Sequence, residues 1–212
     1  ASDVYKRQDV TKGNTKAVLT VEKVGKVDLP APDIFFGNDK MEVTDTDIYK
    51  SDQAFTQGQM ITVTGIDNLN EWWIDPDFFE KQSDGALKFL PINGDYRVTA
   101  NAVLKYFSVM ALKDGKPAKL QDDGTGAIWA IGKGIGKPSV TSSEVGWEPS
   151  KALCLAQVAS KKYQLTLKAG ETLKTSGDPE VISFKFFHQN DWGGEFGNYA
   201  SSIFCLLYTS PS

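Results

Sequence analysis

The sequence predicts a mainly β protein built of antiparallel β-sandwich modules, of immunoglobulin-like or carbohydrate-binding-module-like kind, truncated at both ends. Three observations carry that expectation. Apolar residues recur with a period of two, turn sequences interrupt them at short intervals, and helical periodicity is scarce.

Taken in order, Thr15 to Val24 (T-K-A-V-L-T-V-E-K-V) alternates and leads into V-D-L-P-A-P, whose prolines cannot continue a ladder. Residues 9–28 therefore read as the last strand of an upstream module and its linker. Further strands are expected at Gln59–Gly65, Gly85–Leu90, Asp95–Thr99, Leu104–Leu112, Ala127–Gly132, Lys162–Leu167 and Val181–Phe187. Between them lie N-G-D, K-D-G-K, D-D-G-T-G, K-A-G-E and S-G-D-P, whose residues tolerate positive φ or bond their own backbone. The clearest helical pattern spans Asn70 to Lys81, with Asp75-Pro76 as its start and Phe78 and Phe79 turned inward. A break near Asp114 to Asp123 separates a first module, residues 29–115, from a second, residues 116–204.

Both ends are foreign to this pattern. Residues 1–8 (A-S-D-V-Y-K-R-Q) and 205–212 (C-L-L-Y-T-S-P-S) read as translations of one transposon-end adapter in its two orientations, and are set aside as non-native. The remainder is a piece open at both ends, so the absence of a signal peptide within it carries no information.

The net charge is −4 over the whole chain, and one unit more negative without Asp3, Lys6 and Arg7. That disfavours a nucleic-acid surface, which needs a clustered basic face. With 41% hydrophobic residues and no apolar run of membrane-spanning length, the chain can build its own core. Cys154, the one cysteine outside the adapter tails, sits in an apolar run without a catalytic signature and reads as a small core residue.

The chemistry concentrates in Ser183 to Tyr199, S-F-K-F-F-H-Q-N-D-W-G-G-E-F-G-N-Y, which joins an alternating strand to a tryptophan-bearing, glycine-rich turn. Here Phe184 and Phe186 share one strand face and Lys185 and Phe187 the other, while His188, Gln189, Asn190 and Asp191 set polar groups beside Trp192. An aromatic plane flanked by amides and a carboxylate suits a sugar, whose apolar face stacks while its hydroxyls find hydrogen-bond partners. The competing reading makes Trp192 a plug at the end of a sandwich core.

Of the other tryptophans, Trp129 lies in a continuous apolar strand (A-I-W-A-I-G) and is expected in the core. Trp147, in E-V-G-W-E-P, has a loop context that core packing explains less easily. Adjacent Trp72 and Trp73 face opposite ways in extended backbone, so at most one is core and the other is a candidate platform.

Gly132 to Lys137 (G-K-G-I-G-K) lacks the spacing of a phosphate loop and no helix follows it, so a glycine-rich β turn is expected. Asp122 to Gly126 resembles part of a calcium loop without its closing ligand, and a hairpin turn is the better reading. No metal or cofactor is expected. His188 has no nucleophile motif nearby, and no catalytic residue is assigned. Glu144, Glu148, Asp191 and Glu195 are the acids to weigh for glycoside cleavage, against the simpler reading of solvated surface acids.

From Ala127 onward the order I-W-A-I-G, G-W-E-P, Y-Q-L-T-L-K-A-G-E and F-K-F-F-H-Q-N-D-W-G resembles the C-terminal β-sandwich of the SusE/SusF family of outer-membrane glycan-binding lipoproteins, over residues 116–204. The first module, with W-W-I-D-P-D-F-F and N-G-D-Y-R-V-T-A, is similar to glycan-locus proteins carrying an immunoglobulin-like domain ahead of such a sandwich. The resemblance implies a non-catalytic protein on the extracellular side of the outer membrane. Its lipid anchor lies outside this piece, and it holds an oligo- or polysaccharide for a SusC/SusD-type transporter. It further implies sugar contacts by Trp147 and Trp192, with Lys185, His188, Gln189, Asn190 and Asp191 as polar neighbours. H-Q-N-D departs from the commonest form of that run, and the glycan's identity does not carry over.

Overall fold

In the computed structural model, residues 31–175 and 182–196 are described; the adapter-like ends and the strand expected within residues 9–28 lie outside them. All the strand ladders are antiparallel, as expected for a mainly β, sandwich-type protein. The first half contributes β1 (Phe35–Phe36), β2 (Asp39–Lys40), β3 (Glu42–Asp45), β4 (Ile48–Phe55), β5 (Met60–Ile61) and β6 (Val63–Thr64). It continues with β7 (Phe79–Lys81), β8 (Leu87–Phe89), β9 (Gly94–Asn101), β10 (Tyr106–Lys113) and β11 (Lys116–Pro117). The second half contributes β12 (Trp129–Gly136), β13 (Glu144–Gly146), β14 (Leu153–Cys154), β15 (Ala156–Ala159), β16 (Lys162–Gln164) and β17 (Ser183–Phe187). A one-turn helix α1, Val140–Ser143, and two 3-10 turns, Leu69–Glu71 and Pro149–Lys151, complete the inventory of described elements.

The largest sheet has the order β11-β10-β9-β4-β3. Its centre is the β9–β10 hairpin, in register from Asn101↔Tyr106 to Asp95↔Leu112. The period of two explains its burial: Tyr96, Val98 and Ala100 on β9 and Phe107 and Val109 on β10 turn inward. The third central strand, β4, has no sequence signal, because I-Y-K-S-D-Q-A-F is polar throughout its middle. Its inward face is Tyr49, Ser51 and Phe55, and on the other face Asp52 takes a two-pronged ion pair from Arg97 at 2.7 and 2.6 Å.

Under this sheet lies a cluster of rings. Phe36 meets Phe107 at 5.2 Å, Phe55 stacks on Phe89 at 4.8 Å, and Trp72 stacks on Phe107 at 4.8 Å. The stretch expected as one strand, Gln59–Gly65, is split between two sheets: β5 pairs with β8, and β6 with β1.

The expected helix over Asn70–Lys81 does not form. Only Leu69–Glu71 winds, as a 3-10 turn, after which the Trp73 N–H donates to Lys105 O at 2.8 Å and the chain runs beside β10. At Asp75-Pro76 a single turn closes, with Phe78 and Phe79 N–H groups on Asp75 O and the Asp77 N–H on the Asp75 carboxylate. Both phenylalanines do turn inward. The apolar pattern was satisfied by one turn and a strand, so nothing was left to support further helix.

The second half is organised on β12. Trp129 is wholly buried, with its indole N–H on Ala118 O at 3.0 Å. Strands β13 and β14 pair with β12, as does β17, whose Phe187 sits opposite Trp129. The G-K-G-I-G-K run is therefore strand interior and not the expected turn. Its glycines are there for close approach: a Cβ on Gly132, at φ +149°, would lie 2.2 Å from Ser183 O, and one on Gly136 would lie 2.3 Å from Ser143 O. Asp122 to Gly126 does turn, closed by the Gly124 N–H on Gln121 O and the Gln121 N–H on Thr125 O. Cys154 is buried, and burial pushes its thiol up to about 12.

The halves share one hydrophobic core, which runs from Ile34 to Phe187. They are also tied by a buried ion cluster. The Lys137 ammonium donates to both Asp75 oxygens at 2.9 and 2.8 Å and to Asp77 Oδ2 at 2.8 Å, which uses all three of its donors. Asp77 also accepts from Gln164 Nε2, from the Thr166 N–H and from the Thr166 hydroxyl. For Asp77, burial raises the carboxyl, but the Lys137 charge and these hydrogen bonds outweigh it and hold the group below the usual range. At Asp75 burial wins and the carboxyl is lifted.

Two outcomes follow for stability. Asp77→Asn should cost about 3 kcal/mol in urea unfolding at neutral pH, since it removes one partner of a buried pair. The wild-type advantage over this variant belongs to a group with a lowered pKa. It should be complete above about pH 4, the unfolded value, and shrink as pH falls below it. A pH-independent difference would refute the ion-pair account. Separately, Gly132→Ala should destabilise by several kcal/mol, about the upper end for a core substitution, because the clash is with backbone. Retention of the wild-type melting temperature would show that β12 and β17 are not so closely apposed.

Candidate functional site

Trp147 is set by the end of β13. Gly146 pairs with Gly132 and takes φ +59°, turning the chain out of the sheet, and the 3-10 turn Pro149–Lys151 closes immediately afterwards. The indole is left 37% exposed. Trp192 is set by the loop that follows β17. The His188 N–H donates to Gly194 O at 2.8 Å and the Phe196 N–H to Phe186 O at 2.9 Å, so the chain reverses and returns beside its own strand. Within that loop the Gln189 side chain donates to Trp192 O at 2.6 Å and the Trp192 N–H to Asp191 Oδ1 at 2.7 Å.

These two loops bring the tryptophans together. Their ring centroids are 6.3 Å apart and their planes 26° apart, a displaced stack, and Trp192 is 51% exposed. Trp192 also stands edge-on to buried Phe187 at 6.0 Å, which ties the pair to the core beneath.

Most of the polar neighbours are engaged within the protein itself. Lys185 pairs with Glu195 at 2.9 Å. The His188 ring packs edge-on to Phe196 at 4.2 Å, and its carbonyl accepts the Leu120 N–H. Gln189 and Asp191 hold the loop itself. Asn190 alone keeps a shielded oxygen, Oδ1, without a hydrogen-bond partner. On the strand itself, Phe187 is core, whereas Phe184 and Phe186 are half-buried and meet edge to face at 5.7 Å.

The adjacent pair Trp72 and Trp73 divides as extended geometry requires. Trp72 is a core residue stacked on Phe107, which removes it from the binding candidates. Trp73 is half-buried on the other side, with its indole N–H on Glu171 Oε1 at 3.3 Å and the Lys137 ammonium 5.9 Å from its ring centroid. Glu171 is held below the usual carboxylate range, first by its hydrogen bond from Lys168 and then by that of Trp73. Trp73 lies along a separate cleft, and neither Trp147 nor Trp192 lines it.

The four acids weighed for glycoside cleavage are all engaged: Glu144 accepts the Gly134 N–H, Glu148 pairs with Lys151, Asp191 caps its own loop and Glu195 holds Lys185. Among the described residues, no cluster of three His, Cys, Asp or Glu side chains could hold a metal ion. No described helix is long and apolar enough to cross a membrane.

Residues 15–120 match the family model described as a domain of unknown function, DUF5125. The chain belongs to the DUF5125 family. A second domain of unknown function, DUF5121, follows at residues 123–203, so the two matches meet in the closed turn at Gln121–Thr125. The ion cluster thus joins the DUF5125 part, through Asp75 and Asp77, to the DUF5121 part, through Lys137. No curated protein and no solved structure matches the chain significantly. The SusE/SusF likeness is not among the matches.

If the two rings stack as described, a double-mutant cycle of Trp147→Ala and Trp192→Ala in chemical unfolding should return a coupling of about 0.5–1.5 kcal/mol. Strict additivity would mean that the rings do not touch in solution.

Proposed function

We propose that this DUF5125 protein is a non-catalytic glycan-binding protein of the bacterial cell surface, lipid-anchored to the outer membrane. In this reading it captures an oligo- or polysaccharide for an outer-membrane SusC/SusD-type transporter. The observation that carries it is the Trp147–Trp192 pair. Two large rings from loops far apart in sequence share one exposed spot, where leaving them uncovered costs apolar burial that nothing among the described residues recovers. Stacking on a sugar's apolar face recovers it. The motif order from Ala127 to Trp192, similar to the SusE/SusF sandwich, supports the same ligand class.

A second reading is favoured by one observation. The polar side chains around the pair are spent on the loop itself, which suits an apolar docking spot for another protein and a spacer role without a ligand.

Glycan-array binding by the full chain separates the two. A bound glycan should lose about tenfold in affinity in each of Trp147→Ala and Trp192→Ala, equivalent to about 1.4 kcal/mol per ring. Unchanged affinity in both variants removes the platform. Absence of binding to any glycan favours the docking reading.

A further inference from the structure

A cleft of about 500 Å³ runs between the DUF5125 and DUF5121 parts, within the size range of small-molecule sites. One wall is the free edge of β10. Hydrogen bonds to Lys105 O, from Trp73, and to Ala111 O, from Ala118, show that odd-numbered residues of this strand direct their backbone groups away from β9. Phe107 and Val109 lie between those two points. Their side chains are buried in the core, yet both residues line the cleft. The alternation of an antiparallel strand therefore leaves the Phe107 C=O and the Val109 N–H and C=O toward the cleft with no described backbone partner, while the parallel bridge between Trp73 and Tyr106 engages the Phe107 N–H. The even-numbered residues Tyr106 and Ser108 add half-buried hydroxyls that bond no described residue, and exposed Ser150 adds a third hydroxyl to the lining. Trp73 closes one end with its ring.

The charges near the cleft are already satisfied. The Lys137 ammonium is saturated by Asp75 and Asp77, Lys151 is paired with Glu148, and Glu144 accepts from Gly134. A phosphate or other anionic ligand finds no free counter-charge there. An added peptide strand is blocked as well, because Trp73 and β11 occupy the two ends of the open edge. What remains is a compact molecule that both donates and accepts hydrogen bonds and carries an apolar face for Trp73.

The geometry points to a second, separate binding site in this cleft, for an uncharged polyol of mono- or disaccharide size held by the β10 edge, Tyr106, Ser108, Ser150 and Trp73. It does not rest on the Trp147–Trp192 reading. A ligand here touches both parts at once and favours their joined arrangement.

The indole N–H resonances of the whole 212-residue chain test the two sites independently. Assigned by Trp→Phe variants, the Trp73 resonance should shift saturably when glucose, galactose, mannose, xylose, maltose, cellobiose or lactose is titrated into the millimolar range. In Thr141→Tyr, which fills the cleft from its exposed wall, that shift should be lost. A Trp73 resonance unmoved by every neutral sugar overturns the proposal, as does a shift that persists unchanged in Thr141→Tyr. So does a saturable shift produced by inorganic phosphate or by a tetra-alanine peptide and by no sugar. Shifts of the Trp147 and Trp192 resonances alone overturn the cleft site and leave the platform standing.

Discussion

The rest of the molecule depends on Lys137 reaching across to Asp75 and Asp77. Three charged groups withdrawn from water are costly, and the cost is met only because the geometry is complete: three donors on one ammonium, and four further hydrogen bonds to the two carboxylates, two of them on the remaining oxygen, Asp77 Oδ1. Such a cluster tolerates little sliding. A shared apolar core would permit several relative placements of the two family domains, whereas fixed donors and acceptors select one. The placement so chosen leaves the β10 edge uncovered between Trp73 and β11 and so creates the cleft.

The same demand for close fit governs the second half. Gly132 and Gly136 let β12 take neighbours on both sides at distances that no side chain permits, and the burial of Trp129 and Phe187 follows from that approach. The loops that leave β13 and β17 are then close enough for Trp147 and Trp192 to meet. Backbone geometry in the core thereby positions a surface feature.

Much of this was legible in the sequence where one residue's surroundings are set by its neighbours in the chain. The alternation of β9 and β10, the opposed facing of Trp72 and Trp73, the burial of Trp129 and the loop settings of Trp147 and Trp192 are all of that kind. What could not be read depends on partners distant in sequence. Strand β4 is hidden because its buried face includes Ser51, which takes a bond from Gln53, and its outer face holds Asp52 against Arg97. Asp75-Pro76-Asp77 looks like a helix start because capping and ion-pair chemistry use the same residues, and only Lys137, some sixty positions later, distinguishes them. The polar run at His188 to Asp191 suggested ligand contacts, yet an amide or carboxylate serves a tight loop just as well.

Cys154 carries a consequence of its own. A thiol pushed up to about 12 by burial is almost wholly protonated at neutral pH, and the thiolate is the form that attacks alkylating reagents or oxidants. Because Cys154 is buried where β14 meets β12 and packs near β10, its reaction is slowed until that packing parts. The fold thus contains a silent clock, in which the rate of modification at one atom counts the local openings of the packing around it.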